Sequence, residues 1–113
     1  MTAPVIVLSA IGAQPDAERV ATSLVEERLA ACVNIVPGVV SIYRWKGNVE
    51  KEPELLLVIK TVAERVDALK ARLLALHPYE LPEVVVIPIG SGHGVYLEWI
   101  AQQVRPLSVD GES

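Results

Sequence analysis

Apolar residues follow two periods along this chain. Val5-Ile6-Val7-Leu8-Ser9-Ala10-Ile11 is an almost unbroken β-branched run ended by Gly12, the pattern of a strand covered on both faces. The period then changes to that of a helix. Pro15 suits a first turn, Asp16 and Glu18 sit at the positive end of the dipole, and Val20, Leu24 and Val25 form a narrow apolar stripe. From Cys32 to Trp45 the spacing predicts a long strand bent at Pro37-Gly38, since proline gives no ladder donor and glycine permits a bulge. Beyond the bend Val39, Ser41, Tyr43 and Trp45 share one face, and Val40, Ile42 and Arg44 the other.

Gly47-Asn48 predicts a tight hairpin turn. The return strand starts in Glu50-Lys51-Glu52-Pro53-Glu54, whose charges and proline protect an edge, and continues as Leu55-Leu56-Leu57-Val58-Ile59 to Lys60. Thr61-Val62-Ala63-Glu64 has capping-box spacing, so a second helix is expected from there, carrying Val62, Val66, Leu69, Leu73 and Leu76 and closed by His77-Pro78. A fourth strand is expected at Val84–Ile89. After the Gly90-Ser91-Gly92-His93-Gly94 turn, Tyr96, Leu97, Trp99, Ile100 and Val104 suggest a short last helix.

The order β-α-β-β-α-β with a terminal helix predicts an α+β, ferredoxin-like sandwich. One domain, 1–107, accounts for the chain, with a polar tail at 108–113. Two helices cover one sheet face. The other face is also apolar and one short helix cannot cover it, so the chain is expected to associate with copies of itself through that face. The hairpin arm is expected to reach onto a neighbour.

At 113 residues with 51% apolar, the chain has material for a real core. Ten Lys and Arg against fourteen Asp and Glu give no electrostatic footprint for nucleic acid. No basic n-region opens the sequence and no apolar run approaches the roughly 20 residues of a membrane span, so a cytoplasmic protein without a membrane partner is expected. The single cysteine excludes an internal disulfide framework.

Candidate chemistry is sparse. Cys32 is a soft metal ligand by type or a small buried hydrophobe. His77-Pro78-Tyr79-Glu80-Leu81-Pro82-Glu83 joins an imidazole, a phenol and two carboxylates in a stiff loop that suits metal ligation or anchors the chain path. Tyr43-Arg44-Trp45-Lys46 fits an intersubunit patch better than a nucleic-acid surface on an acidic protein. Lys60 ends an apolar strand, where it can hold an anion. The glycine loop around His93 lacks phosphate-loop spacing. No nucleophile-base-orienter set can be assembled, so no enzyme activity is expected.

Ala31-Cys32-Val33-Asn34-Ile35, Pro37-Gly38-Val39, Ser41 to Gly47, Lys60-Thr61 and His77-Pro78-Tyr79-Glu80 with Pro82-Glu83, in this order, resemble the CutA family of divalent-cation tolerance proteins. The resemblance runs from about Val5 to Val104. It implies a ferredoxin-like protomer in a cytoplasmic homotrimer, with a core similar to PII signalling proteins and a link to copper or other divalent cations. Carried over by position, its polar residues are Cys32, Asn34, Tyr43, Trp45, Glu50, Lys60, Thr61, His77, Tyr79 and Glu83. Cys32, His77 and Glu83 are then the expected metal ligands. The others are expected to line clefts between subunits. The alternative under the same resemblance is a PII-like module that takes a small anion or metabolite there, through Lys60 and Tyr79.

Overall fold

A computed structural model of the chain describes residues 3–106. The tail from Ser108 onward lies outside the described residues. The elements run β1 (Pro4–Ile11), α1 (Gln14–Glu26), β2 (Cys32–Trp45), β3 (Asn48–Val62), α2 (Val66–Leu76), β4 (Val85–Pro88) and α3 (Gly94–Gln103). The four strands form one sheet in the order β2-β3-β1-β4, with every neighbouring pair antiparallel. This is the ferredoxin-like α+β plan.

One sheet face carries the core. Val7 and Ile11 of β1 and Leu55, Leu57 and Ile59 of β3 alternate toward α1 and α2, where they meet Ala17, Val20, Leu24, Leu69 and Leu73. Arg19 donates to the Leu76 carbonyl at 3.2 Å, and Arg72 pairs with Glu27 at 2.9 Å, so the two helices are also tied at their surfaces. Val25, expected in the α1 stripe, is exposed.

Two boundaries differ from expectation for a physical reason. The hairpin turns on Lys46-Gly47 rather than Gly47-Asn48, because both turn residues have positive φ, +50° and +86°, as a type I′ loop requires. Thr61 and Val62 do not open a helix. They complete β3, a 3-10 turn follows at Ala63–Arg65, and α2 starts at Val66 without a side-chain cap. The Thr61 hydroxyl is engaged elsewhere, donating to the Leu29 carbonyl at 2.8 Å in the interior. β4 is also shorter than Val84–Ile89.

The other sheet face is open over most of its extent. Register places Cys32, Lys60, Ile6 and Ile87 on one rung across the sheet, and Asn34, Val58, Leu8 and Val85 on the next. α3 covers one end only, with Ile100 and Val104 against Ala31 and Val62. Val36, Val85 and Ile87 remain 40%, 47% and 42% exposed.

The register between β2 and β3 shifts between Val36 and Val39, where Gly38 has φ +79°. Beyond this bulge β2 and β3 continue as a two-stranded arm, for β1 ends opposite Leu55. The molecule is accordingly long, 50 Å against 30 Å and 21 Å. The arm has two unlike sides. Tyr43 faces Glu50 and Ser41 faces Glu52 on one, while Ile42 faces Lys51 and Arg44 faces Val49 on the other.

Candidate functional site

The densest network of polar side chains lies where α2 returns to the sheet beside the root of the arm. Pro78 forces His77 into extended backbone, φ −73° and ψ 135°, which ends the helix. The imidazole is 7% exposed and both its nitrogens are used. Nδ1 accepts the Tyr79 N–H at 3.1 Å, so Nε2 carries the proton and donates to the Ala10 carbonyl at 2.9 Å. His77 thereby fixes the following loop to the end of β1.

Tyr79 stands edge-on to that imidazole, with ring centroids 4.6 Å apart. Its hydroxyl donates to Glu54 Oε2 at 2.6 Å, within the range of a charge-assisted bond. Partial burial of the ring, the hydrogen bond to Glu54 and the nearby negative charge raise its pKa well above the ordinary tyrosine value of 10.0. The Tyr43 phenol is also raised, by partial covering and then by Glu52, Glu54 and Glu50.

Tyr79 forms one wall of a pocket of about 600 Å³ between the arm and the loop. Ala10 is part of its lining, with Tyr43 and Trp45 from the arm. Three carboxylates, Glu54, Glu80 and Glu83, face one guanidinium, Arg44, around it. The balance favours cations over anions.

A second cluster sits on the open sheet face. The Lys60 ammonium donates to Asn34 Oδ1 at 2.8 Å and lies 5.9 Å from the centre of the Tyr96 ring. The half-buried Cys32 thiol is 3.9 Å from the same Asn34 oxygen. Lys60 is opposite Ile6, whereas Leu56 is opposite Ala10, so the two clusters are four residues or about 13 Å apart along the strand.

The expected ligands Cys32, His77 and Glu83 are therefore not gathered within one chain. Cys32 belongs to the open face, Glu83 lines the pocket, and His77 sits behind Tyr79 with no free ring nitrogen. Among the described residues no three His, Cys, Asp or Glu side chains are placed to hold one metal ion. Lys60 and Tyr79, expected to share an anion, lie in different clusters. Thr61 points into the interior. Trp45 lies at the arm's end with the Lys46 ammonium 5.6 Å from its ring centre, and Glu50 lies opposite Tyr43.

Glu54 and Gly12 were missed as site residues, whereas Glu80 was expected as one of the two loop carboxylates and does line the pocket. Glu54 is embedded in a charged stretch that resembles any solvated strand end. Gly12 resembles an ordinary strand stop, yet a Cβ built there comes 3.0 Å from the Tyr79 hydroxyl. Only the fold brings these positions together.

An antiparallel ferredoxin-like sheet with one helix-covered face, one open face and a protruding hairpin defines the class: an α+β protein of the architecture shared by CutA1 and PII-like proteins. The profile described as "CutA1 divalent ion tolerance protein" matches residues 5–103. The chain belongs to the CutA1 divalent ion tolerance family.

The chain is 50% identical over 97 residues to the divalent-cation tolerance protein CutA of Thermus thermophilus, covering 86% of this chain and 94% of that one. It is 43% identical over 95 residues to mouse protein CutA, covering 84% of this chain and 54% of the mouse protein. The chain thus spans about half the length of that animal relative. Among solved structures, the Thermus thermophilus protein superposes with TM-score 0.88 at 48% identity, over 90% of this chain and 99% of that one. A protein of Nostoc described as PII-like CutA, in apo form, gives 0.83 at 39% identity, over 93% and 98%.

Proposed function

We propose that this chain works as a homotrimer in the response to divalent cations, its copies meeting through the open sheet face. The observation that carries this reading is that face: Ile6 and Leu8 of β1, Val58 of β3 and Val85 and Ile87 of β4 lie side by side on it, and α3 covers it at one end only. Water contact with so much apolar surface is unfavourable, and a second copy is the complementary cover. The number three comes from the family resemblance.

The pocket beside Tyr79 is the cation-receiving cleft, with copper or another divalent ion as ligand. Glu54, Glu80 and Glu83 supply its negative potential. Full coordination of a metal there draws on a neighbouring copy or on water, and Cys32 is the soft donor available on the open face. His77 acts as a structural clamp. The chain is a binding protein rather than an enzyme. It works in the cytoplasm; among the described residues no helix is long and apolar enough to cross a membrane. The pocket's volume favours a second reading, a PII-like module taking a small metabolite, since about 600 Å³ exceeds what a bare ion needs.

Sedimentation equilibrium and a copper titration against a competing chelator test both parts. The expected results are a species of three chains and saturable binding weakened in Glu80→Gln/Glu83→Gln. A monomer at all concentrations refutes the assembly. Binding that ignores those variants and Cys32→Ser refutes the cation cleft. Saturable metabolite binding at the same pocket, without copper binding, selects the second reading.

A further inference from the structure

Lys60 is anomalous where it stands. It occupies the second strand in from the sheet edge, on the open face, with Ile6 opposite on one side and Cys32 on the other. Among the described residues no carboxylate lies within 4.0 Å of its ammonium, whose neighbours are the Asn34 oxygen and the Tyr96 ring. Exposed to water, such a lysine costs little. Once another copy covers the face, the ammonium loses solvent, and a buried charge without a counter-charge is strongly unfavourable. The covering surface must therefore bring a negative group to it.

The arm carries such groups on the appropriate side. Residues of β3 alternate, so Glu50, Glu52 and Glu54 share a side with Leu56, Val58 and Lys60. Glu54 is already held by the Tyr79 hydroxyl. Glu50 and Glu52 are held by no side chain among the described residues. The arm runs past the end of β1 and overhangs its own core, so its acidic side is free to lie over another molecule's face.

We propose that the Lys60 site is completed in trans: Glu50 and Glu52 on the arm of a second copy dock against the Lys60–Asn34 pair of the first. This rests on the reading above that copies meet through the open face, and adds the ion pair that sets their register. Repeated head to tail, one such contact per chain closes a ring. Each copy then gives its arm to one neighbour and its Lys60 to the other.

The test is the urea concentration at which the assembly dissociates, followed by sedimentation velocity at low and high sodium chloride. Lys60→Glu is expected to lower that midpoint and shift the dissociation constant at least ten-fold. Adding Glu50→Lys and Glu52→Lys to the same chain restores it. Lys60→Met serves if the reversed charge prevents folding: its midpoint is expected to lose the salt dependence of the natural protein. An unchanged midpoint in Lys60→Glu, or no rescue by the reversed arm, overturns the pair while the assembly stands. A natural protein that sediments as a monomer throughout removes the assembly and the pair together. Inorganic phosphate that raises the natural protein's midpoint, with no rescue by the arm, assigns Lys60 to a bound anion and overturns the proposal.

Discussion

The Tyr79 hydroxyl donates to Glu54 at 2.6 Å, and it does so across Gly12, whose missing side chain leaves the ring its place. A Cβ at Gly12 falls 3.0 Å from that same oxygen, closer than an aromatic ring held at both ends tolerates without moving. Gly12→Ala is therefore expected to displace Tyr79 and weaken its bond to Glu54, at a cost of about 1 kcal/mol in urea unfolding. Since Gly12 acts through that hydroxyl, the cost should largely vanish in a Tyr79→Phe background. Equal costs in both backgrounds exclude this coupling.

The same bond has a pH signature. The folded state raises the Tyr79 pKa above 10.0, so it favours the neutral phenol. The contribution to stability is complete below the unfolded value and is lost as pH climbs through 10 toward the folded value. Phenolate absorbance is expected to show a tyrosine that ionises only well above pH 10 and that disappears in Tyr79→Phe. A titration identical in the two proteins contradicts the assignment.

Thr61 offers a contrast in hydroxyl energetics. Its side chain is wholly buried and donates to the Leu29 carbonyl at 2.8 Å. Thr61→Val keeps the shape and leaves that carbonyl unpaired, so a loss of about 1 to 3 kcal/mol is expected on chemical denaturation. A change within a few tenths of a kcal/mol means that water or another group replaces the bond.

Ser9 should behave oppositely. It is also wholly buried, but its hydroxyl has no hydrogen-bond partner among the described residues. Ser9→Ala removes an unpaired polar group, and denaturation is expected to show equal stability or a gain of up to about 1 kcal/mol. A clear loss reveals a partner for the hydroxyl.

The fold was legible because its strands and helices differ in period. The run at Val5–Ile11, the alternation from Val39 to Trp45 and the break at Pro37-Gly38 each have one structural solution. Thr61 misled because a threonine before an apolar run has the same spacing whether it caps a helix or bonds a distant carbonyl such as Leu29. Individual site residues were legible by type. Their grouping was not, since four strand positions separate the Lys60 rung from the Ala10 carbonyl that holds His77. No linear spacing records that interval.

Among the described residues, the arm beyond Leu55 has two strands and no third to pair with. A two-stranded ribbon in water is marginal alone. Its amide protons can therefore exchange through local opening that leaves the core intact. Slow exchange in the arm would then report a neighbour holding it, making residues 39–54 an internal gauge of association that requires no label.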